Sequence, residues 1–131
     1  MRKQIVAGNW KMNKTESETT QLIEVLQQQD LMRGVEVFVA PTFVNLSAAV
    51  KATKDSGIHV AAQNVHQSAS GAFTGEISSA MLLDIGVQHV ILGHSERRAY
   101  FSETDELIKE KVQAALQAGM DAASDGEEDD F

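Results

Sequence analysis

Apolar residues come along this chain in short runs, and the runs alternate with stretches whose apolar positions fall three or four apart. The first run, QIVAGNW from Gln4, has strand character. In the following TESETTQLIEVLQQQ, Leu22, Ile23, Val25 and Leu26 form an apolar stripe, and Thr15 and Glu18 have the spacing of a capping box, so a helix is predicted. After Gly34, VEVFVAP reads as a second strand closed by Pro41, and Leu46, Ala49 and Val50 mark a helix that stops near Gly57. A third strand, IHVAAQN from Ile58, leads into the polar stretch VHQSASGAFTGE. A short helix with Ile77, Ala80, Met81 and Ile85 follows, ended by Gly86. QHVILG gives a fourth strand. Beyond it, Ser102 is placed to cap a helix with Ile108, Val112, Ala115 and Leu116 on one face and Gly119 at its end.

Four strand–helix units in alternation predict parallel strands joined by right-handed crossovers, an α/β fold. VEVFVA and HVILG lack polar alternation, as strands buried on both faces do. Periodicity leaves open whether the sheet is doubly wound or a segment of a (β/α)8 barrel. On this rhythm a fifth strand is due after Gly119, where the chain reads MDAASDGEEDDF. Asp, Ser and Gly disfavour strands, so residues 121–131 read as a solvated, disordered acidic tail in place of strand five, with an acidic interaction tail as the second reading. The predicted organisation is one folded unit, 1–120, and a tail, 121–131.

Charge supports that division. Asp121, Asp125, Glu127, Glu128, Asp129 and Asp130 supply six of the chain's eight net negative charges, and residues 1–120 carry only −2. Neither part has a basic stripe, which speaks against nucleic acid as a partner. At 131 residues with 43% apolar content, the chain suits a single soluble domain. Without a membrane-length apolar run (about 20 residues) or a signal-peptide pattern, a cytoplasmic location is expected and no membrane partner. Cysteine is absent, and His59, His66, His89 and His94 show no metal-ligand spacing, so no metal is expected.

Ligands of α/β sheets and barrels sit at the carboxyl ends of the strands, and those ends are polar here. The first strand ends in Asn9, Trp10 and Lys11, the second in Pro41 and Thr42, the third in Gln63 and Asn64, and the fourth in His94, Ser95, Glu96, Arg97 and Arg98. A histidine in that place can be satisfied by backbone groups, and a lysine can be a solvated charge. A lysine and an imidazole emerging at one concave end also suit an anionic or carbonyl-bearing metabolite. Trp10 reads as a packing residue, having no aromatic neighbour in sequence. Glu96, beside Arg97 and Arg98 and at the same end as Lys11, reads as an ion-pair partner rather than a base.

AGNWKMN at 7–13, QNV at 63–65, GAFTGEIS at 71–78 and ILGHSERR at 91–98 together resemble the triosephosphate isomerase family, over about residues 3–120. The resemblance implies the first half of a (β/α)8 TIM barrel, a fold that takes about 250 residues. It further implies a glycolytic and gluconeogenic isomerase that interconverts dihydroxyacetone phosphate and glyceraldehyde 3-phosphate through an enediolate, without cofactor and as a homodimer. On that reading Lys11 and His94 are catalytic and Asn9 and Lys11 bind the substrate. His94 is then the neutral imidazole that donates to the carbonyl oxygen, an assignment taken over from the family, which is a standard worked example of such a histidine. Glu96 supports Lys11 by an ion pair. Gln63, Thr74, Gly75 and Glu76 belong to the family's dimer loop, with Thr74 reaching toward the partner's site.

The family's general base is a glutamate after a sixth strand, followed by a lid and two phosphate-binding loops, and none of these motifs occurs here. The pair Gly126–Glu127 echoes the family's fifth strand only faintly. The isolated chain is therefore expected to be inactive and to need a complementary half barrel. The alternative is a non-catalytic or engineered half-barrel scaffold that self-associates to cover its open edges and inner face.

Overall fold

The computed structural model describes residues 4–28 and 35–124. Five strands, β1 (Gln4–Asn9), β2 (Val35–Ala40), β3 (Ile58–Ala62), β4 (His89–Leu92) and β5 (Asp121–Ser124), lie in the order β1-β2-β3-β4-β5. Every neighbouring pair is parallel, and the helices α1 (Glu16–Gln27), α2 (Leu46–Ala52), α3 (Ser79–Asp84), α4 (Ser95–Tyr100) and α5 (Asp105–Gln117) fall in the connections. This is a curled half barrel, which settles the choice between an open sheet and a barrel segment.

The missing polar alternation has a direct structural counterpart. Val39, Val60, Ala62, Val90 and Leu92 belong to the main core with Ile23, Leu46, Leu82 and Ala115 of the helices. The intervening Ala40, Ala61 and Ile91 form a second, small cluster. Successive strand residues point to opposite faces, so β3, β4 and the end of β2 are buried under the helices on one side and against one another inside the curl on the other, while β1 is not.

The expectation that a tail replaces strand five is corrected at its start. Asp121, Ala122, Ala123 and Ser124 pair with His89, Val90, Ile91 and Leu92. The local cause lies in how the preceding helix ends. Gly119 (φ +92°) donates to the Leu116 carbonyl and Met120 to that of Ala115, a Schellman motif that drives Met120 (2% exposed) into the core. The same device closes α3, where Gly86 (φ +92°) donates to Leu83 and the buried Val87 to Leu82. Each motif launches a strand within two residues. Asp125, Gly126 and the acidic residues after it lie outside the described residues, as do residues 1–3 and Gly34.

The capping box forms as read: Glu18 N–H donates to Thr15 Oγ1 and Thr15 N–H to Glu18 Oε1. Two expectations about the last helix change. Thr104, whose Oγ1 accepts from Leu107 N–H, caps α5 instead of Ser102. Its inward face carries Ile108, Lys111 and Ala115, while Leu116 is exposed. The six-residue α4 has no counterpart in the apolar pattern.

Candidate active site

The carboxyl ends of β1, β3 and β4 converge on the loop between β1 and α1. Lys11 in that loop has a left-handed backbone, φ +55°, which costs a residue with a Cβ about 1–2 kcal/mol. Its N–H donates to Asn9 Oδ1 at 2.9 Å, and its carbonyl accepts from Gln63 Nε2 at 2.9 Å. The same Gln63 nitrogen donates to the Ala40 carbonyl at 2.8 Å. Two carbonyl acceptors require the NH2 group there, so the orientation of this amide is fixed by its partners.

The rest of the loop is tied in the same manner. Asn13 Nδ2 donates to the Trp10 carbonyl, and the buried Asn45 Nδ2 donates to the carbonyl of Lys14, a second left-handed residue at φ +84°. Trp10 N–H donates to the Ala40 carbonyl and the indole packs against the core, in keeping with a packing role.

The Lys11 ammonium reaches Glu96 Oε2 at 2.9 Å, both side chains being nearly half exposed. The hydrogen bond from Lys11 holds the Glu96 carboxyl below the usual carboxylate range. An exposed pair of this kind contributes at most about 1 kcal/mol. It does not offset the left-handed backbone of Lys11 by itself, whereas the flanking amide hydrogen bonds, each worth about 0.5–1.5 kcal/mol, together do.

His94 is buried at the start of α4, with its Nδ1 accepting from Glu96 N–H at 3.0 Å. An accepting Nδ1 has no proton, so the proton of this ring tautomer sits on Nε2. Glu96 thus meets both candidates: its backbone N–H sets the imidazole and its carboxylate sets the ammonium.

Arg97 and Arg98 turn away from Glu96. Arg97 Nε donates to Glu103 Oε2 at 2.7 Å, and Arg98 Nη1 to Asp105 at 2.6 Å. Glu103 and Lys111, which the sequence did not single out, form a buried pair at 2.6 Å, and the Lys111 ammonium also donates to Asn64 Oδ1 at 2.9 Å. Burial pushes the Glu103 carboxyl up, but hydrogen bonds from Lys111 and Arg97 outweigh it and leave it below the usual range. The network joins the ends of β3 and β4 to α5 directly behind the site. A signal existed in the i, i+3 spacing of Ile108 and Lys111, but a lysine on that face reads as polar.

Thr74, Gly75 and Glu76 are exposed in a loop braced by a His66–Phe73 ring contact and a His66 N–H bond to the Ile77 carbonyl. They do not join the cluster of Asn9, Lys11, His94 and Glu96, while Gln63, expected with them, does. A shallow cavity of about 170 Å³ lies near Ile58, His59, Gln88 and His89, at the opposite end of the strands, and takes no part in the site. Among the described residues, no group of His, Asp and Glu could hold a metal ion, and no helix is long and apolar enough to cross a membrane.

Parallel strands curling inward, with a lysine and a histidine beyond their carboxyl ends, define a half (β/α) barrel. The sequence comparisons narrow that class. The triosephosphate isomerase family model matches residues 4–123. A triosephosphate isomerase of Flavobacterium johnsoniae is 57% identical over 121 residues, 92% of this chain and 48% of that protein. One from Clostridium botulinum is 56% identical over 116 residues, 88% of this chain and 47% of the relative. The chain belongs to the triosephosphate isomerase family, and it spans about half the length of the curated relatives it matches.

Proposed function

We propose that this chain supplies the electrophilic half of an aldose–ketose isomerase acting on a phosphorylated triose, dihydroxyacetone phosphate and glyceraldehyde 3-phosphate being the pair that family membership suggests. The observation that supports the reading is the double contact of Glu96, whose carboxylate holds the Lys11 ammonium and whose N–H donates to His94 Nδ1.

In the reaction, a base removes a proton from the carbon next to the carbonyl, and the C=O electrons move onto oxygen to give an enediolate. His94 Nε2–H donates to that oxygen as charge develops, and Lys11, oriented by Asn9, is a fixed positive charge beside the substrate oxygens. The hydroxyl proton passes from one enediol oxygen to the other, and return of the carbon-bound proton to the neighbouring carbon completes the isomerisation, with no cofactor needed. The base belongs to the family's second half, so these 131 residues alone have negligible activity. Absence of a positioned base costs about 10²–10⁴-fold, and loss of phosphate contacts removes the binding energy that drives the step. Glycolysis and gluconeogenesis, a cytoplasmic location and a homodimer formed through the loop with Thr74, Gly75 and Glu76 accompany this reading.

A second reading, a self-associating scaffold without catalysis, rests on β1, where Ile5 and Val6 are 62% and 56% exposed. Size-exclusion chromatography with light scattering, followed by a coupled isomerase assay with and without the family's second half, tests both. Activity only on complementation supports the isomerase half; an oligomer silent in both assays supports the scaffold.

A further inference from the structure

We infer that Gln63 is a positioning residue for Lys11, acting through the backbone rather than the ammonium. This deepens the proposed isomerase reading and rests on it for its functional meaning. The Lys11 backbone is left-handed, a conformation a lysine does not keep unaided, and both of its polar groups are occupied by side-chain amides. Asn9, two residues away, takes the N–H, as a local turn-forming residue does. Gln63 takes the carbonyl from 52 residues away.

Its second N–H goes to the Ala40 carbonyl, which already accepts from Trp10 N–H. Gln63 thereby fastens the loop after β1 to the ends of β2 and β3 at once. Rotation of the Lys11 peptide would break that contact and swing the side chain off the line to Glu96. The half-exposed ion pair, at 2.9 Å, is the result of this placement and not its cause. Direct contact with substrate is not required of Gln63.

The test uses the 131-residue chain itself and reads Glu96, whose carboxyl reports whether the ammonium is in place. Side-chain ¹³C chemical shifts are followed through an acid titration. In the wild-type chain Glu96 titrates below the usual carboxylate range because of Lys11. In Gln63→Met, which keeps the bulk and removes both donors, the Glu96 midpoint is expected to rise by most of the amount seen in Lys11→Met. In Thr104→Ala, which weakens the distant cap of α5, it should stay where it is, separating positioning from a general loss of stability. A folded Gln63→Met chain with the wild-type Glu96 midpoint overturns the proposal.

A variant-free reading covers the case in which Gln63→Met does not fold. Both Nε2 protons of Gln63 should exchange slowly in the wild-type chain, and a freely exchanging amide overturns the proposal equally. No triose phosphate enters either experiment, so failure of complementation counts against the isomerase reading alone.

Discussion

Lys111 shows how one side chain can decide the stability of the wall behind the site. It is 3% exposed, and its ammonium meets Glu103 Oε2 and Asn64 Oδ1. In Lys111→Met, Glu103 keeps only Arg97 of these two cations, and its other buried carboxylate oxygen, Oε1, has no hydrogen-bond partner among the described residues. Breaking a buried pair from one side costs about 3–5 kcal/mol, and urea unfolding should show a loss of that size. The double variant Lys111→Met, Glu103→Leu should recover much of it, since no buried charge is then left over. Neither residue was legible as a core position, because a charged residue between apolar ones reads as the solvated face. Lys11, Glu96 and His94 could be picked out as neighbours from the sequence, since each lies within four residues of a strand's carboxyl end. The attachment of Gln63 and Asn45 to the first loop was not, their partners lying 52 and 31 residues away.

At the scale of elements, the reading followed wherever a run or stripe was long enough to carry a period. β1 to β4 and the helices α1, α2, α3 and α5 all came from such signals. α4 escaped because six residues cannot display a helical stripe. β5 escaped because the composition of DAAS outweighed the glycine–apolar signal that Gly119 and Met120 share with Gly86 and Val87. Local devices should therefore be measurable element by element. Thr15→Ala removes the acceptor for Glu18 N–H and should cost about 1 kcal/mol in a denaturant titration. Gly93 joins β4 to His94 at φ +76°, and a Cβ there would lie 3.3 Å from Ile108 Cγ2. Gly93→Ala combines a left-handed alanine with crowding and should cost about 2–4 kcal/mol. Because His94 comes next in the chain, it should also lower complemented activity, whereas Thr15→Ala should not.

For the whole molecule, the inner face of the curl decides how the fold answers pH. Near the amino ends of the strands, Phe38 of β2 stacks on His59 of β3 at 4.7 Å and meets His89 of β4 edge-on at 5.0 Å. His89 also faces Asp121 of β5, with Nδ1 3.4 Å from its carboxylate, and feels the charge of Glu36 of β2. Burial is the largest influence and lowers the His89 pKa below its ordinary 6.5; Asp121 and Glu36 oppose it without cancelling it, and His59 adds to it. In the folded chain this ring therefore resists protonation more than in the unfolded chain. The unfolded state binds the extra proton first as pH falls through 6.5, so stability declines from there until the lower folded value is passed. Glu103 acts in the same direction at more acid pH: its carboxyl is held low when folded, so its contribution is complete above the ordinary glutamate value and vanishes as pH falls through the lowered one. Urea midpoints recorded from pH 7.5 to 5.5 should fall in the wild-type chain and change less in His89→Asn, with Glu103 ionised throughout. An unchanged slope in that variant would remove His89 from the account.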